Sequence, residues 1–193
     1  MAEIKLNNNK GVGKEFLSVA PPSTKRRKRG GTASDYKKSL QEKQTLKRLY
    51  GLSENQFKRY VKETLAMTGI ENMPDELIKR LEKRLDNVIF RLGFAKSRPQ
   101  SRQLVSHAYF LINGKPVNIA SFQLKKGDVV SIKETKKKKN ILKDLQEKLK
   151  KFQAPSWLSL NIEKLEGKVT SDPSLAHANP PVEIPLIFEF YSR

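Results

Sequence analysis

The sequence predicts an α+β fold: a mainly helical N-terminal domain, then a helix-turn-helix leading into a small antiparallel sheet, behind a basic, disordered N-terminal arm. Three observations carry this. Apolar residues recur at helical spacing from Asp35 to Gly93. A capped basic helix after Ser97 gives way to short alternating strands around Asn113-Gly114. The charge is one-sided, with 32 basic and 13 acidic side chains in residues 1–140 against 7 of each in 141–193.

At 193 residues and 37% hydrophobic content the chain can bury a modest core. Its formal net charge of +19 far exceeds the ~2–8 of an ordinary solvated domain surface. A field of that sign gathers polyanions, and each cation that displaces a counterion from a phosphate adds salt-sensitive affinity. Nucleic acid is the partner class this implies. With no cysteine, disulfides, thiolate metal sites and cysteine nucleophiles are excluded. His107 and His177, the two histidines, stand 70 residues apart, so no metal or other cofactor is expected. Met1 to Asn9 lacks the apolar stretch of a signal peptide, and no run approaches the ~20 apolar residues of a membrane span, which predicts a soluble, intracellular chain. Trp157, the one tryptophan, lies in the charge-neutral tail, against a membrane-surface role.

Taken in order, residues 1–34 form the arm. Lys25-Arg26-Arg27-Lys28-Arg29 lies between Pro21-Pro22 and Gly30-Gly31, and five adjacent cations gain order only against a phosphate-rich surface. A nuclear-localisation-like run is the alternative reading. Gly11-Val12-Gly13-Lys14 is not a phosphate loop, which needs Gly where Asn8 stands and Ser or Thr where Glu15 stands.

Residues 35–86 make the helical domain. One helix runs from Asp35 to Gly51. A second starts at Ser53, where Ser53 and Gln56 form a capping box and Leu52 and Phe57 a hydrophobic staple, followed by Tyr60, Val61 and Leu65. A third is expected from Pro74 as one continuous helix through Leu77, Ile78, Leu81, Leu85, Val88, Ile89 and Leu92, stopping at Gly93. Its other side carries Lys79, Arg80, Lys83, Arg84 and Arg91 and reads equally as a solvated face or an RNA face.

Residues 87–186 hold the module. Ser97 and Gln100 repeat the capping spacing; Leu104, Val105 and Ala108 take one side of the helix, and Arg98, Arg102, Gln103, Ser106 and His107 the other. Phe110 and Ile112 lead to the type I′ turn Asn113-Gly114, with Ile119, Phe122 and Leu124 continuing the apolar side. Lys126-Gly127-Asp128 turns into a strand from Val129 to Lys133. After Lys136 to Lys139, Asn140 caps a helix lined by Ile141, Leu142, Leu145, Leu149 and Phe152. Leu158, Leu160 and Ile162 alternate as a strand, residues 170–181 form a Pro-bearing loop, and Ile184, Leu186, Phe188 and Phe190 read as a closing strand.

Nothing predicts an enzyme. Glu163 and Glu166 have no nucleophile or Gly-rich pocket nearby. Double-stranded RNA hides its base edges in a deep, narrow groove, so recognition falls on phosphates, 2′-hydroxyls and junction shape, which basic helices suit.

The wording RLDNVIFRLGFAKSRPQSRQLVSHAYFLINGKPVNIASFQLKKGDVVSIKE, from Arg84 to Glu134, resembles the RNA-binding module named after small-subunit ribosomal protein S-four. Ser34-Asp35-Tyr36, Glu42-Lys43-Gln44, Tyr50-Gly51-Leu52, Gln56-Phe57 and Arg59-Tyr60 upstream resemble the same family, as do Pro155-Ser156-Trp157-Leu158 and Phe188 to Arg193 downstream. The likeness spans residues 34–193. Pseudouridine synthases also carry such a module and use an Asp in an Arg-Leu-Asp-like triplet. Here Arg84-Leu85-Asp86 precedes the module, and the 59 residues after Glu134 are too few for their catalytic sheet.

The resemblance implies a structural protein of the small ribosomal subunit, monomeric within a cytoplasmic or organellar ribosome. It implies a primary binder of small-subunit rRNA that grips a multi-helix junction and nucleates assembly of the subunit body. It further implies contact with ribosomal protein S-five at an interface tied to decoding accuracy, and with mRNA near its entry path. Carried over by position, the RNA contacts are Arg26, Arg27 and Arg29 in the arm, Lys43, Lys47 and Arg48 in the first helix, and Lys96, Ser97, Arg98, Arg102, Gln103, His107, Asn113 and Lys115 in the module. Residues 187–193 are expected to dock on the helical domain. Reversing Arg98 and Arg102 to glutamate is expected to abolish binding and leave the fold intact. Two departures stand out: the N-terminal cysteine cluster that many bacterial relatives carry is absent, and Pro116 stands where relatives often carry a cation. The competing class is a free-standing RNA-binding factor of the ribosome-rescue or heat-shock type.

Overall fold

The computed structural model describes residues 35–137 and 145–192. The arm with Arg26, Arg27 and Arg29, the end of the lysine run and the expected cap at Asn140 with Ile141 and Leu142 lie outside the described residues.

Helix α1 (Asp35–Leu49) has an acid in its first turn and Lys47 and Arg48 in its last, which suits the helix dipole. It stops where Gly51 takes φ +61°, the left-handed backbone that glycine adopts without penalty. Helix α2 (Glu54–Leu65) begins on the expected capping box: Ser53 Oγ accepts the Gln56 N–H at 3.3 Å and Gln56 Oε1 accepts the Ser53 N–H at 3.3 Å. Phe57, Tyr60, Val61 and Thr64 form its buried stripe.

The long third helix is in fact two, α3 (Met73–Glu82) and α4 (Leu85–Arg91). Arg84 between them is extended, at φ −64° and ψ 137°, and bridges to Gln123. The segment around Phe122 captures the backbone at this point. The N–H groups of Leu85 and Asp86 donate to the carbonyls of Phe122 (2.9 Å) and Ala120 (3.1 Å), and the Leu124 N–H donates to the Lys83 carbonyl (2.9 Å). Periodicity alone carries through the break because Leu81 and Leu85 are both fully buried, on either side of it.

After Gly93 (φ +78°) and a short turn comes α5 (Arg98–Ser106), burying Ser101, Leu104 and Val105. Ala108 lies beyond the helix, at φ +51°. Strands β1 (Phe110–Ile112) and β2 (Lys115–Pro116) flank Asn113 and Gly114, both at positive φ as a type I′ turn requires. Leu124 is buried as expected, but Ile119 and Phe122 are 58% and 37% exposed, because the loop spends its backbone on α4 and turns these side chains outward.

β3 (Val129–Ile132) is followed by the short α6 (Glu134–Lys137), then α7 (Leu145–Lys150), β4 (Leu158–Asn161) and β5 (Glu166–Val169). Among the described residues the strands form one antiparallel sheet in the order β2-β1-β3-β5-β4. Its inner face meets α4 and α5 in a core built on Leu92, Val105, Phe110, Val130, Trp157 and Val169. Gly167 leaves no room for a Cβ beside Leu92, so the sheet lies directly against α4 there.

The Pro-bearing stretch contains a helical turn, α8 (Leu175–Ala178). The closing segment is a helix, α9 (Ile184–Ser192), and not the strand that its alternation suggests. Ile184, Ile187 and Phe188, at i, i+3 and i+4, are the residues it buries. They complete a second core with Leu46, Phe57, Val61, Leu77 and Leu81, with α9 packed on α1 and α2.

Polar contacts reinforce that packing. Glu54 accepts from Lys43 (2.6 Å), Lys47 (2.8 Å) and the Tyr191 hydroxyl (3.0 Å), and the Lys43 ammonium lies 4.5 Å from the Phe190 ring centroid. Partial burial alone would raise the Glu54 carboxyl, but these donors outweigh it and hold the group at about 2 against an ordinary 4.5. A depressed folded value stabilises fully above the unfolded one and is lost as pH falls through about 2. The melting-temperature gap between the protein and Glu54→Gln is therefore expected to shrink as pH drops from about 6 to about 2.5. Thermal scans by circular dichroism test this, and a gap independent of pH would remove Glu54 from the linkage.

Candidate nucleic-acid interface

The two cores meet at a buried polar seam made by the end of α1 and by α2, α3, α4 and α5. Glu82, 1% exposed, accepts from the Tyr50 hydroxyl (2.7 Å), Asn87 Nδ2 (2.7 Å), and Arg91 Nε (3.0 Å) and Nη2 (2.7 Å). Asp86 accepts from Arg84 Nε (3.1 Å) and Nη2 (2.8 Å) and from Arg102 Nε (3.1 Å) and Nη2 (2.8 Å). Arg84 Nη1 donates to the Tyr60 hydroxyl at 2.8 Å. Fork-shaped guanidinium pairs on carboxylates are the strong form of this contact. Burial, aided by the neighbouring Glu82 carboxylate, pushes the Tyr50 hydroxyl well above its ordinary range, so it stays a donor.

Several of the cations expected to contact RNA also have partners within the protein. Arg98 donates to Asn87 Oδ1 at 2.8 Å and lies 4.8 Å from the Tyr50 ring centroid and 4.6 Å from that of Phe90. Burial draws its guanidinium below the ordinary value. Arg102 joins Asp86 to the Gly51 carbonyl (2.6 Å) and so pins α5 to the end of α1. Reversing both charges would place carboxylates beside Glu82 and Asp86, so these contacts predict a destabilised fold in that double variant and not an intact one. Lys43 is 5% exposed and committed to Glu54, as is Lys47. On the side of α3 and α4 that read either way, Lys79 and Lys83 hold Asp172, Arg80 holds Glu63, Arg84 holds Asp86 and Arg91 holds Glu82.

The other expected contacts face solvent. Arg48, Lys96, Gln103, His107 and Lys115 are exposed, and among the described residues the three cations have no acid partner. Ser97 is the N-cap of α5, its Oγ accepting the Gln100 N–H at 3.3 Å, while Gln100 Oε1 accepts the Lys96 N–H at 2.7 Å. Asn113 holds the hairpin: its Nδ2 donates to Asp128 Oδ1 at 2.8 Å and its Oδ1 accepts the Val129 N–H at 2.9 Å.

Lys125 and Lys126 were missed from sequence. The Lys125 N–H donates to Asp128 Oδ2 (2.8 Å), the same carboxylate that Asn113 grips, so Lys115, Lys125 and Lys126 gather at one end of the sheet. The signal was there, in two turn motifs each flanked by lysine. Lys58 and Lys62 on α2 are likewise exposed without an acid partner. Among the described residues no cluster of three or more His, Cys, Asp or Glu could hold a metal ion, and no helix is long and apolar enough to cross a membrane.

Two family models match this architecture, "Ribosomal protein S4/S9 N-terminal domain" over residues 12–82 and "S4 domain" over residues 83–130. Their junction falls at the break between α3 and α4. The chain is 43% identical over 173 residues to the small ribosomal subunit protein uS4 of Halothermothrix orenii, covering 90% of this chain and 82% of that one. It is 46% identical over 160 residues to the uS4 protein of a Thermoanaerobacter species (83% and 76% covered), and 43% over 163 residues to that of Thermodesulfovibrio yellowstonii (84% and 77% covered). With both models matching in order and the likeness running through both cores, the chain belongs to the uS4 family of small-subunit ribosomal proteins.

Proposed function

We propose that this chain is a structural, non-enzymatic constituent of the small ribosomal subunit that binds rRNA directly and early, gripping a multi-helix junction to nucleate assembly of the subunit body. The observation that supports it most is the sorting of its cations. The arginines of the seam are matched to Glu82 and Asp86, while Lys96 at the start of α5 and Lys115, Lys125 and Lys126 at the hairpin end face solvent with no acid partner among the described residues. Exposed, uncompensated cations on a rigid frame are what phosphate contacts require. We take the helical lobe over residues 35–86 with α9, and the module that follows it, as two RNA-binding domains, with Arg48 serving the first and Ser97, Gln103, His107 and Asn113 the second. Arg26, Arg27 and Arg29 extend the grip through the arm. Family membership supports contact with ribosomal protein S-five, an influence on decoding accuracy, proximity to entering mRNA, and residence in a cytoplasmic ribosome.

Filter binding to small-subunit rRNA fragments tests this reading. A junction fragment is expected to bind below micromolar, with affinity falling steeply as salt rises. Alanine at Lys115, Lys125 and Lys126 together is expected to reduce the slope of log K against log salt by about 2–3, roughly 0.7–0.9 per lost phosphate contact. A flat salt response, or preference for free tRNA over the junction, would count against rRNA binding.

A further inference from the structure

We propose that the groove between the α4–α5 turn and the end of α7 is a pocket for a single unpaired nucleobase of the bound RNA, with Phe152 as its stacking platform. The inference rests on the rRNA-binding reading and adds to it a site that the exposed cations alone do not indicate. The groove encloses about 380 Å³, with Phe90, Ala95, Phe152 and Pro155 as its apolar walls. Among the described residues its polar lining includes three cations, Arg91, Lys96 and Lys148, and no aspartate or glutamate.

Phe152 shapes the site. It follows α7, is 39% exposed, and rests one side of its ring on Gly93, where a Cβ would come within 2.9 Å of the ring. Gly93 also holds φ +78°, so the glycine supplies both the turn out of α4 and the flat seat that fixes the ring. Phe90 is held by the Arg98 guanidinium 4.6 Å from its ring centroid, and Arg98 is itself anchored to Asn87. Both aromatic walls are therefore set by the folded frame before any ligand arrives.

The charges select the occupant. Arg91 is neutralised by Glu82, whereas Lys96 is exposed and has no acid partner among the described residues. A ligand that presents a flat apolar face to Phe152 and negative charge to Lys96 is a nucleotide within a chain, its base inserted and its flanking phosphates outside. Single-stranded bases in RNA are read in this manner, splayed out and stacked on aromatic side chains. The position agrees, since Lys96 lines the groove and also adjoins the α5 N-cap at Ser97, where phosphate contacts are proposed.

The test uses the full chain and the shortest small-subunit rRNA fragment that it protects from nuclease. Phe152→Ala and Phe152→Leu are each expected to weaken binding roughly tenfold, the loss typical of one stacked base. The salt slope should stay unchanged, because a stacked base releases no counterion. Leucine keeps apolar bulk against Gly93 and Leu149, so its loss of affinity cannot be ascribed to a collapsed α7. Base-modifying reagents should find one unpaired nucleotide shielded in the wild-type complex and reactive in both variant complexes. Wild-type affinity with the same shielding pattern in both variants overturns the pocket. So does unchanged RNA affinity with poor entry into small subunits, which would assign the groove to a neighbouring protein. Failure of the wild-type chain to protect any fragment is a different result: it removes the rRNA-binding reading, and the pocket with it.

Discussion

Replacing Glu82 with alanine is expected to lower the unfolding free energy by about 3–5 kcal/mol, the usual cost of removing one partner from a buried ion pair. The carboxylate is almost wholly enclosed and accepts from Tyr50 in one lobe and from Asn87 and Arg91 in the other. Its loss leaves the Arg91 guanidinium and the Tyr50 hydroxyl without this acceptor, while the Asn87 amide keeps its 3.2 Å bond to the backbone carbonyl of residue 82. Desolvation of those donors, and not the lost contact alone, sets the size of the effect. Glu82→Gln keeps the shape and part of the hydrogen bonding without the charge and should fall between. Urea unfolding followed by circular dichroism measures both, and an unshifted midpoint for Glu82→Ala would show that the seam contributes nothing to stability.

Arg98→Glu combined with Arg102→Glu should do more, costing upwards of about 4 kcal/mol, since it removes two partners and adds two like charges beside Asp86 and Glu82. The Gly51 carbonyl loses its guanidinium donor, and Tyr50 and Phe90 lose the cation stacked between them. Loss of RNA binding in this variant would therefore not by itself place either arginine at the RNA. The informative contrast is Lys115→Glu with Lys125→Glu. Both lysines are exposed and lack an acid partner among the described residues, so stability should stay within about 0.5 kcal/mol while affinity for rRNA falls. Melting and binding measured on the same preparations separate the two cases. An undiminished melting temperature for the arginine pair would refute the structural role given to them.

That contrast shows where a sequence is legible. Features written within one turn of chain were read correctly: the Ser53–Gln56 box, the glycine stops at Gly51 and Gly93, and the Asn113-Gly114 hairpin. Features decided by distant partners were not. Arg84 leaves the helix because backbone near Phe122, almost forty residues on, captures the adjoining N–H groups. Arg98 and Arg102 lie on a helix whose sequence looks like an RNA face. Their partners Asn87 and Asp86 belong to another helix, and nothing in local spacing reveals the pairing. The closing segment failed for another reason. Ile184, Leu186, Phe188 and Phe190 alternate, but Ile184, Ile187 and Phe188 also satisfy helical spacing, and so short an apolar run fits both periods until its neighbours choose. Among the free cations, Lys125 and Lys126 were passed over because their placement beside Lys115 depends on Asp128, which no periodicity links to Asn113.

The return of α9 onto α1 and α2 carries a consequence for biogenesis. The first lobe emerges from the translating ribosome with its interior unfinished, since Ile184, Ile187 and Phe188 are made last. The second lobe draws its core from residues 85–169 and has all its parts sooner. Maturation therefore runs against the direction of translation, the later-made half closing first, and a nascent chain halted before Ile184 would hold a finished sheet beside helices still missing their cover.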